Sequence, residues 1–382
     1  MKATHTLMLL GVAAALVACD APSPTDPVTL SGGDSGIVFP PAEEPDPDVE
    51  PGDPVEPGPS EEPPATREPP SCGAETLTLD VRPPDVMLVL DKSGSMMTTW
   101  DHDRDGATAE VTRWSSLHGV VENLVTDFDD ALHLGAVLFP AADVPDVSGA
   151  EACRMATGPD APASAAGGAS LLAALPSADA TAIYGGTPAS EGLRIATDHL
   201  VSIADGRPQA IVLITDGAAN CGDGLTGAER FTVYDAEVPF VAADAFATGV
   251  PVYVVGIDIE DDLLEIPVAN PWERLSEVAD AGGVPREGGV PFYDVFDEGE
   301  LDDALSTIAS DVGCTLTLPE ALDDLSRLEL AIDGVAVPAV DSCDGGEGWM
   351  LDGEDVRLCA ASCEAAQSDA EVDARLSCIP EG

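Results

Sequence analysis

Residues 86–95 read Val86-Met87-Leu88-Val89-Leu90-Asp91-Lys92-Ser93-Gly94-Ser95. Five apolar residues run without a break, which predicts a strand buried on both faces, as in a parallel sheet. The run stops at an aspartate and a Ser-Gly-Ser turn. In an open α/β sheet, ligands bind beyond the carboxyl ends of the strands. A carboxylate and two hydroxyls there are hard oxygen donors, suited to Mg²⁺, Mn²⁺ or Ca²⁺.

Further buried-strand runs follow, separated by helical patterns. Leu117, Val120, Val121, Leu124, Val125 and Phe128 form a stripe at helical spacing. Residues 132–139 read as a strand, and residues 140–170 as a long loop rich in Ala, Gly and Pro. A weak apolar run, 171–175, leads to Gly185-Gly186-Thr187-Pro188, where proline suits the first turn of a helix reaching Leu200. Ala210-Ile211-Val212-Leu213-Ile214 repeats the opening arrangement, because it ends at Thr215-Asp216-Gly217. Helices at 236–248, 271–280 and 298–312, with strands at 251–256 and 292–295, complete an alternating series. Such a series predicts a doubly wound, mostly parallel α/β sheet.

The ends differ. Residues 1–18 have a short polar start and an apolar stretch too brief to span a bilayer, which reads as a signal peptide. Leu16-Val17-Ala18-Cys19 resembles a bacterial lipobox, which implies that Cys19 is lipidated and that the chain is anchored to the cell envelope, at the outer membrane or cell surface. Residues 20–71 hold 15 prolines and 13 acidic residues against a single base, Arg67, too polar for a core. Residues 19–71 are therefore expected to be a disordered tether, with a reach on the order of 100 Å at about 3.1 Å per residue. The α/β domain is assigned to residues 72–313. Residues 314–382, with short β-like pieces at 328–332 and 356–358, read as a small disulfide-rich β module.

Net charge is −56, from 71 acidic and 15 basic residues. Such a chain repels nucleic acid and anionic lipid. Nine cysteines leave eight once Cys19 is set aside: Cys72, Cys153, Cys221, Cys314, Cys343, Cys359, Cys363 and Cys378. An even set in an exported chain implies disulfides. Cys359-x-x-x-Cys363 has no histidine nearby, so disulfide chemistry is favoured over zinc there.

Asp91-x-Ser93-x-Ser95, Thr187 after a glycine pair, and Asp216 at a strand end together resemble the metal-ion-dependent adhesion site of the von Willebrand factor type A (vWA) domain. The resemblance covers roughly residues 84–312. It implies a Rossmann-like sheet with one antiparallel edge strand. It also implies Ser93, Ser95 and Thr187 as direct metal ligands, with Asp91 and Asp216 acting largely through water. A cation held mainly by neutral hydroxyls, with one open position, favours a carboxylate from a protein or acidic glycan partner. Cys221, five residues after Asp216, and Cys153, in the loop before Thr187, are expected to pair and pin two rim loops. A Cys72–Cys314 bridge bracketing the domain is a further candidate, open to competition from the C-terminal cysteines.

Asp101, Asp103 and Asp105, followed by Gly106, match the first half of a calcium loop, but Thr112 stands where the closing glutamate belongs. They are a candidate second Ca²⁺ site or a solvated acidic turn. The histidines show no HExxH spacing, and the chain has no GxSxG or phosphate loop. The expected function is thus a lipid-anchored binding or adhesion module and not an enzyme. The alternatives are a metal-stabilised envelope scaffold and, less favoured, a metal-dependent hydrolase.

Overall fold

The computed structural model describes residues 76–79, 82–144, 149–286, 288–318, 327–343, 346–352, 355–367 and 370–376. The signal peptide, Cys19, the tether, Cys72 and Cys378 lie outside the described residues.

In chain order the elements begin with β1 (Thr76–Leu79), β2 (Asp85–Asp91), β3 (Thr99–Trp100), β4 (Val111–Thr112), α1 (Arg113–Phe128) and β5 (His133–Phe139). Then come α2 (Gly168–Ala174), α3 (Ala189–Ile203), β6 (Gln209–Thr215), α4 (Glu229–Thr232), α5 (Val238–Ala247) and β7 (Val252–Ile257). A short hairpin, β8 (Leu264–Glu265) and β9 (Val268–Ala269), precedes α6 (Pro271–Ala281), β10 (Tyr293–Val295) and α7 (Glu298–Gly313). The C-terminal module holds β11 (Thr315–Thr317), β12 (Leu328–Ile332), β13 (Val335–Val337), β14 (Trp349–Asp352), β15 (Asp355–Leu358), α8 (Ala360–Gln367) and β16 (Val372–Leu376).

The central sheet has the order β10-β7-β6-β2-β5, with every neighbouring pair parallel. All seven residues of β2 are buried, as the unbroken apolar run requires. Its alternate side chains serve two separate cores. Val86, Leu88 and Leu90 pack with Leu117 and Val121 of α1 and Leu305 and Ile308 of α7. Met87 and Val89 face Leu193 of α3, Val241 and Ala242 of α5 and Leu275 of α6. Truncating such a side chain, for example Leu88→Ala, costs about 2–5 kcal/mol through lost transfer energy and the cavity left behind.

The direction of chain progression reverses between β2 and β6, and their register sets Leu90 opposite Ile214. A crevice opens at such a point because the connections leave the two strands on opposite faces. Asp91 ends β2 and Asp216 follows β6 at this point.

Three features depart from the sequence expectation. The antiparallel edge strand is reduced to one bridge, in which Ala136 and Ala161 exchange backbone hydrogen bonds of 2.8 and 3.1 Å. The loop carrying Ala161 lacks the β-branched alternation that would extend the pairing. The expected loop of 140–170 runs into α2, which starts at Gly168, where a Cβ would meet Val125 Cγ1 at 2.4 Å. And β1, assigned by sequence to the α/β domain, pairs antiparallel with β16, so that the C-terminal module draws an edge strand from ahead of the central sheet.

That module is a mixed structure. Its sheets β1-β16-β12-β13 and β11-β15-β14 share a core containing Leu330, Trp349, Val356 and Val372. Cys314 at the end of α7 is bridged to Cys363 of α8, and Cys343 to Cys359. The first bridge excludes Cys72–Cys314. It also explains why two cysteines four apart serve different partners.

Candidate metal centre

After Asp91 the chain turns through Ser93 into a short 3-10 segment, Gly94–Met97. Both oxygens of the fully buried Asp91 are engaged. Oδ1 accepts from the Ser93 amide at 2.7 Å, and Oδ2 accepts from the Thr215 hydroxyl at 2.6 Å. The aspartate thus fixes the serine turn and ties it to the neighbouring strand. Ser93 Oγ and Ser95 Oγ lie 2.8 Å apart, and Ser95 Oγ donates to Asp216 Oδ1 at 2.7 Å.

Thr187 is buried on the same cleft. Its loop is held from several directions. The Thr187 amide donates to Asn220 Oδ1 at 2.8 Å, and the Asn220 amide donates back to the Thr187 carbonyl at 3.0 Å. The Gly94 amide donates to the Gly185 carbonyl at 3.2 Å. The buried Lys92 donates from Nζ to the Tyr184 carbonyl at 3.3 Å, and burial pulls its pKa down. The glycine pair is required by this crowding. Gly185 has φ +113°, and a Cβ on Gly186 would meet Cys221 Sγ at 2.5 Å and Asn220 Oδ1 at 2.7 Å. The Cys153–Cys221 disulfide ties the two rim loops.

The site has a member that the sequence reading missed. Arg113, the first residue of α1, donates from Nη1 to Asp216 Oδ2 at 2.9 Å and from Nη2 to Asp258 Oδ2 at 2.5 Å. It follows the N-cap Thr112, whose side chain accepts from the Ser115 amide at 3.1 Å. Its long side chain reaches the adjoining strand ends from there. Asp258 has a left-handed backbone, φ 53°, and its side chain is 41% exposed. Nothing in the spacing of Arg113, Asn220 and Asp258 marks them, because they meet only through the strand order.

Burial, and then the charge of Asp216, push the Asp91 carboxyl up to about 7. Burial also raises Asp216, against the pull of Arg113 and the Ser95 hydrogen bond. One guanidinium therefore offsets only part of the cost of two buried acids. The donors fit a hard divalent cation: hydroxyls at Ser93, Ser95 and Thr187, with carboxylates behind them.

Ser93, Ser95, Thr187 and Asp216, with Arg113, border a cleft of about 530 Å³, and Asp91 is fully buried. A larger cleft of about 640 Å³ runs along β10 and the C-terminal module, lined by Arg286, Tyr293, Asp294 and Arg357, and contains none of the expected site residues.

The turn of Asp101, Asp103 and Asp105 is built differently. Asp103 accepts from the Asp105 amide at 3.0 Å and the Thr108 hydroxyl at 2.7 Å, and Asp105 accepts from the Ala107 amide at 3.0 Å. The Thr108 hydrogen bond holds Asp103 below the usual carboxylate range. Among the described residues, no three His, Cys, Asp or Glu side chains gather as a metal site. Trp100, beside the turn, is buried and donates to Ser116 Oγ at 3.1 Å.

No protein-family model matches the chain, and no curated protein matches its sequence. Among solved structures, it is similar to the pilus adhesin SpaC from Lactobacillus rhamnosus GG, with 16% identity and TM-score 0.44 over 78% of this chain and 40% of the adhesin. It is also similar to the conserved hypothetical protein BatB from Bacteroides thetaiotaomicron, with 18% identity and TM-score 0.38 over 59% of this chain and 98% of that one. The PilB minor pilin from Streptococcus sanguinis gives 16% identity and TM-score 0.40 over 61% and 62%. The chain thus spans about two fifths of the length of the adhesin. These values are too low to carry an argument about ligand or activity.

Proposed function

We propose that this chain is a vWA-type binding module of the bacterial cell envelope, anchored through lipid on Cys19, that recognises a carboxylate of a protein ligand through a divalent metal. Ser93, Ser95 and Thr187 would hold Mg²⁺ or a similar ion, and Asp91 and Asp216 would orient the hydroxyls and bound water. When bound, the ion supplies a positive centre for an incoming Asp or Glu. The observation that carries the reading is the contact chain Ser93–Ser95–Asp216 across the β2/β6 crevice, with Thr187 on the same cleft. It joins residues more than a hundred positions apart at the point where the fold provides a ligand site.

A binding role is favoured over hydrolysis. A hydrolase needs a base placed to activate water or a nucleophile. Instead, His133 faces Asp85 at 3.0 Å where β5 and β2 begin, and His199 Nε2 accepts from the Ala163 amide at 3.1 Å. Both act as structural partners. Among the described residues, no helix is long and apolar enough to cross a membrane, and anchoring in this reading comes from lipid.

The proposal is tested by Mn²⁺ binding, followed through loss of the free-ion electron paramagnetic resonance signal. Thr187→Ala should weaken binding by roughly tenfold or more, since it removes one ligand from the ion. Equal binding by the wild type and the variant would reject the assigned ligand set.

A further inference from the structure

Between β7 and α6 the chain makes an excursion over the cleft, residues 258–270. Leu264 pairs with Ala269 and Glu265 with Val268. Its base is clasped by Asn270, whose Nδ2 donates to Asp261 Oδ1 at 2.7 Å and whose side-chain oxygen caps α6. The outer residues are apolar and bare: Leu263 is 72% exposed, Ile266 66% and Val268 60%. Isolated exposed aliphatic residues need no explanation, but three within six positions at the rim of a site form a patch. Leu264, Ile266 and Pro267 line the same cleft as Ser95 and Asp216.

Resting on the metal-dependent reading above, we propose that this hairpin is the apolar half of the ligand face. The ligand is then a peptide segment in which a lone Asp or Glu is flanked by a large apolar side chain. The charge distribution selects this chemistry. Arg113 is already paired with Asp216 and Asp258, so the ion that Ser93, Ser95 and Thr187 would hold is what attracts one carboxylate. Around it, Asp258 and Glu260 line the cleft, on a chain of net charge −56. A run of acids, or an acidic glycan, is repelled by that surround. A single acid with an apolar neighbour meets the ion and covers the hairpin. Burying one aliphatic side chain is enough for about tenfold or more in affinity.

The test is a selection from a random short-peptide display library on the full chain in Mg²⁺, with bound peptides released by EDTA. The expected pool carries Asp or Glu beside Leu, Ile, Phe or Trp. The most enriched peptide, made synthetically, should bind about tenfold more weakly, a loss of about 1.4 kcal/mol, to the triple variant Leu263→Ser, Ile266→Ser, Val268→Ser. These positions are exposed, so the variant should keep the wild-type melting temperature. If it does not, the single variant Ile266→Ser, at an exposed position that lines the cleft, carries the comparison. A pool enriched in acids without apolar neighbours, or an unchanged affinity for the hairpin variants, overturns the inference and leaves the metal reading standing. If no peptide is released by EDTA, both fail.

Discussion

Asp91 and Asp101 open two runs that look alike in sequence, each with oxygen-bearing side chains at alternate positions beside a glycine. In the first, the aspartate ends a buried strand, and the oxygens that follow reach Asp216 across the β2/β6 crevice. In the second, the run lies on an exposed turn, and its oxygens are bound by amides and a hydroxyl of the same turn. The difference is one of destination. A polar cluster becomes a candidate site when the topology brings distant donors to it and burial makes their charge costly. On the exposed turn, the same residue types hydrogen-bond within their own loop.

The largest effect that could break this contrast is on the tie between the cleft loops. The Cys153–Cys221 bridge closes a separation of 68 residues. Cys153→Ser with Cys221→Ser should lower stability by about 2–5 kcal/mol, measured by denaturant unfolding. A loss under about 1 kcal/mol would mean that the Thr187–Asn220 hydrogen bonds already hold the rim. Next in size is Arg113. A positive charge a few ångströms from a metal opposes binding by roughly 1–4 kcal/mol near a protein surface. Arg113→Met should therefore tighten Mg²⁺ by about tenfold in a calorimetric titration, and unchanged affinity would show that the guanidinium leaves Asp216 when the ion enters. The smallest effect belongs to the exposed turn. Asp101→Asn, Asp103→Asn and Asp105→Asn together should change stability by about 0.5 kcal/mol or less and leave the Mg²⁺ heats intact. A Ca²⁺ titration with two classes of site that collapse to one in this variant would make the turn a second metal centre.

Much of the fold was legible because parallel strands covered on both faces are continuous apolar runs. That pattern located β2, β6 and β7, together with the aspartates that end the first two. The Gly185-Gly186-Thr187-Pro188 segment was legible as the entry to a helix, which begins at Ala189. Arg113 was not, because the first residue of an amphipathic helix looks like any exposed base until strand order places it beside Asp216 and Asp258. Nor was the β8–β9 hairpin, whose strands are two residues each and carry no periodicity. The pairing of β1 with β16 joins opposite ends of the described chain, and no local signal encodes it.

The central claim is that the crevice holds a divalent cation through the assigned residues. Calorimetric titration of Mg²⁺ into the full chain, beside the Ser93→Ala, Asp216→Ala double variant, tests it most directly. The account predicts a saturable site in the wild type, weakened by about a hundredfold or more in the variant, since a direct ligand and its orienting carboxylate are both removed. Equal heats from the two proteins would contradict it, and the domain would then be a scaffold whose contacts lie away from this cleft.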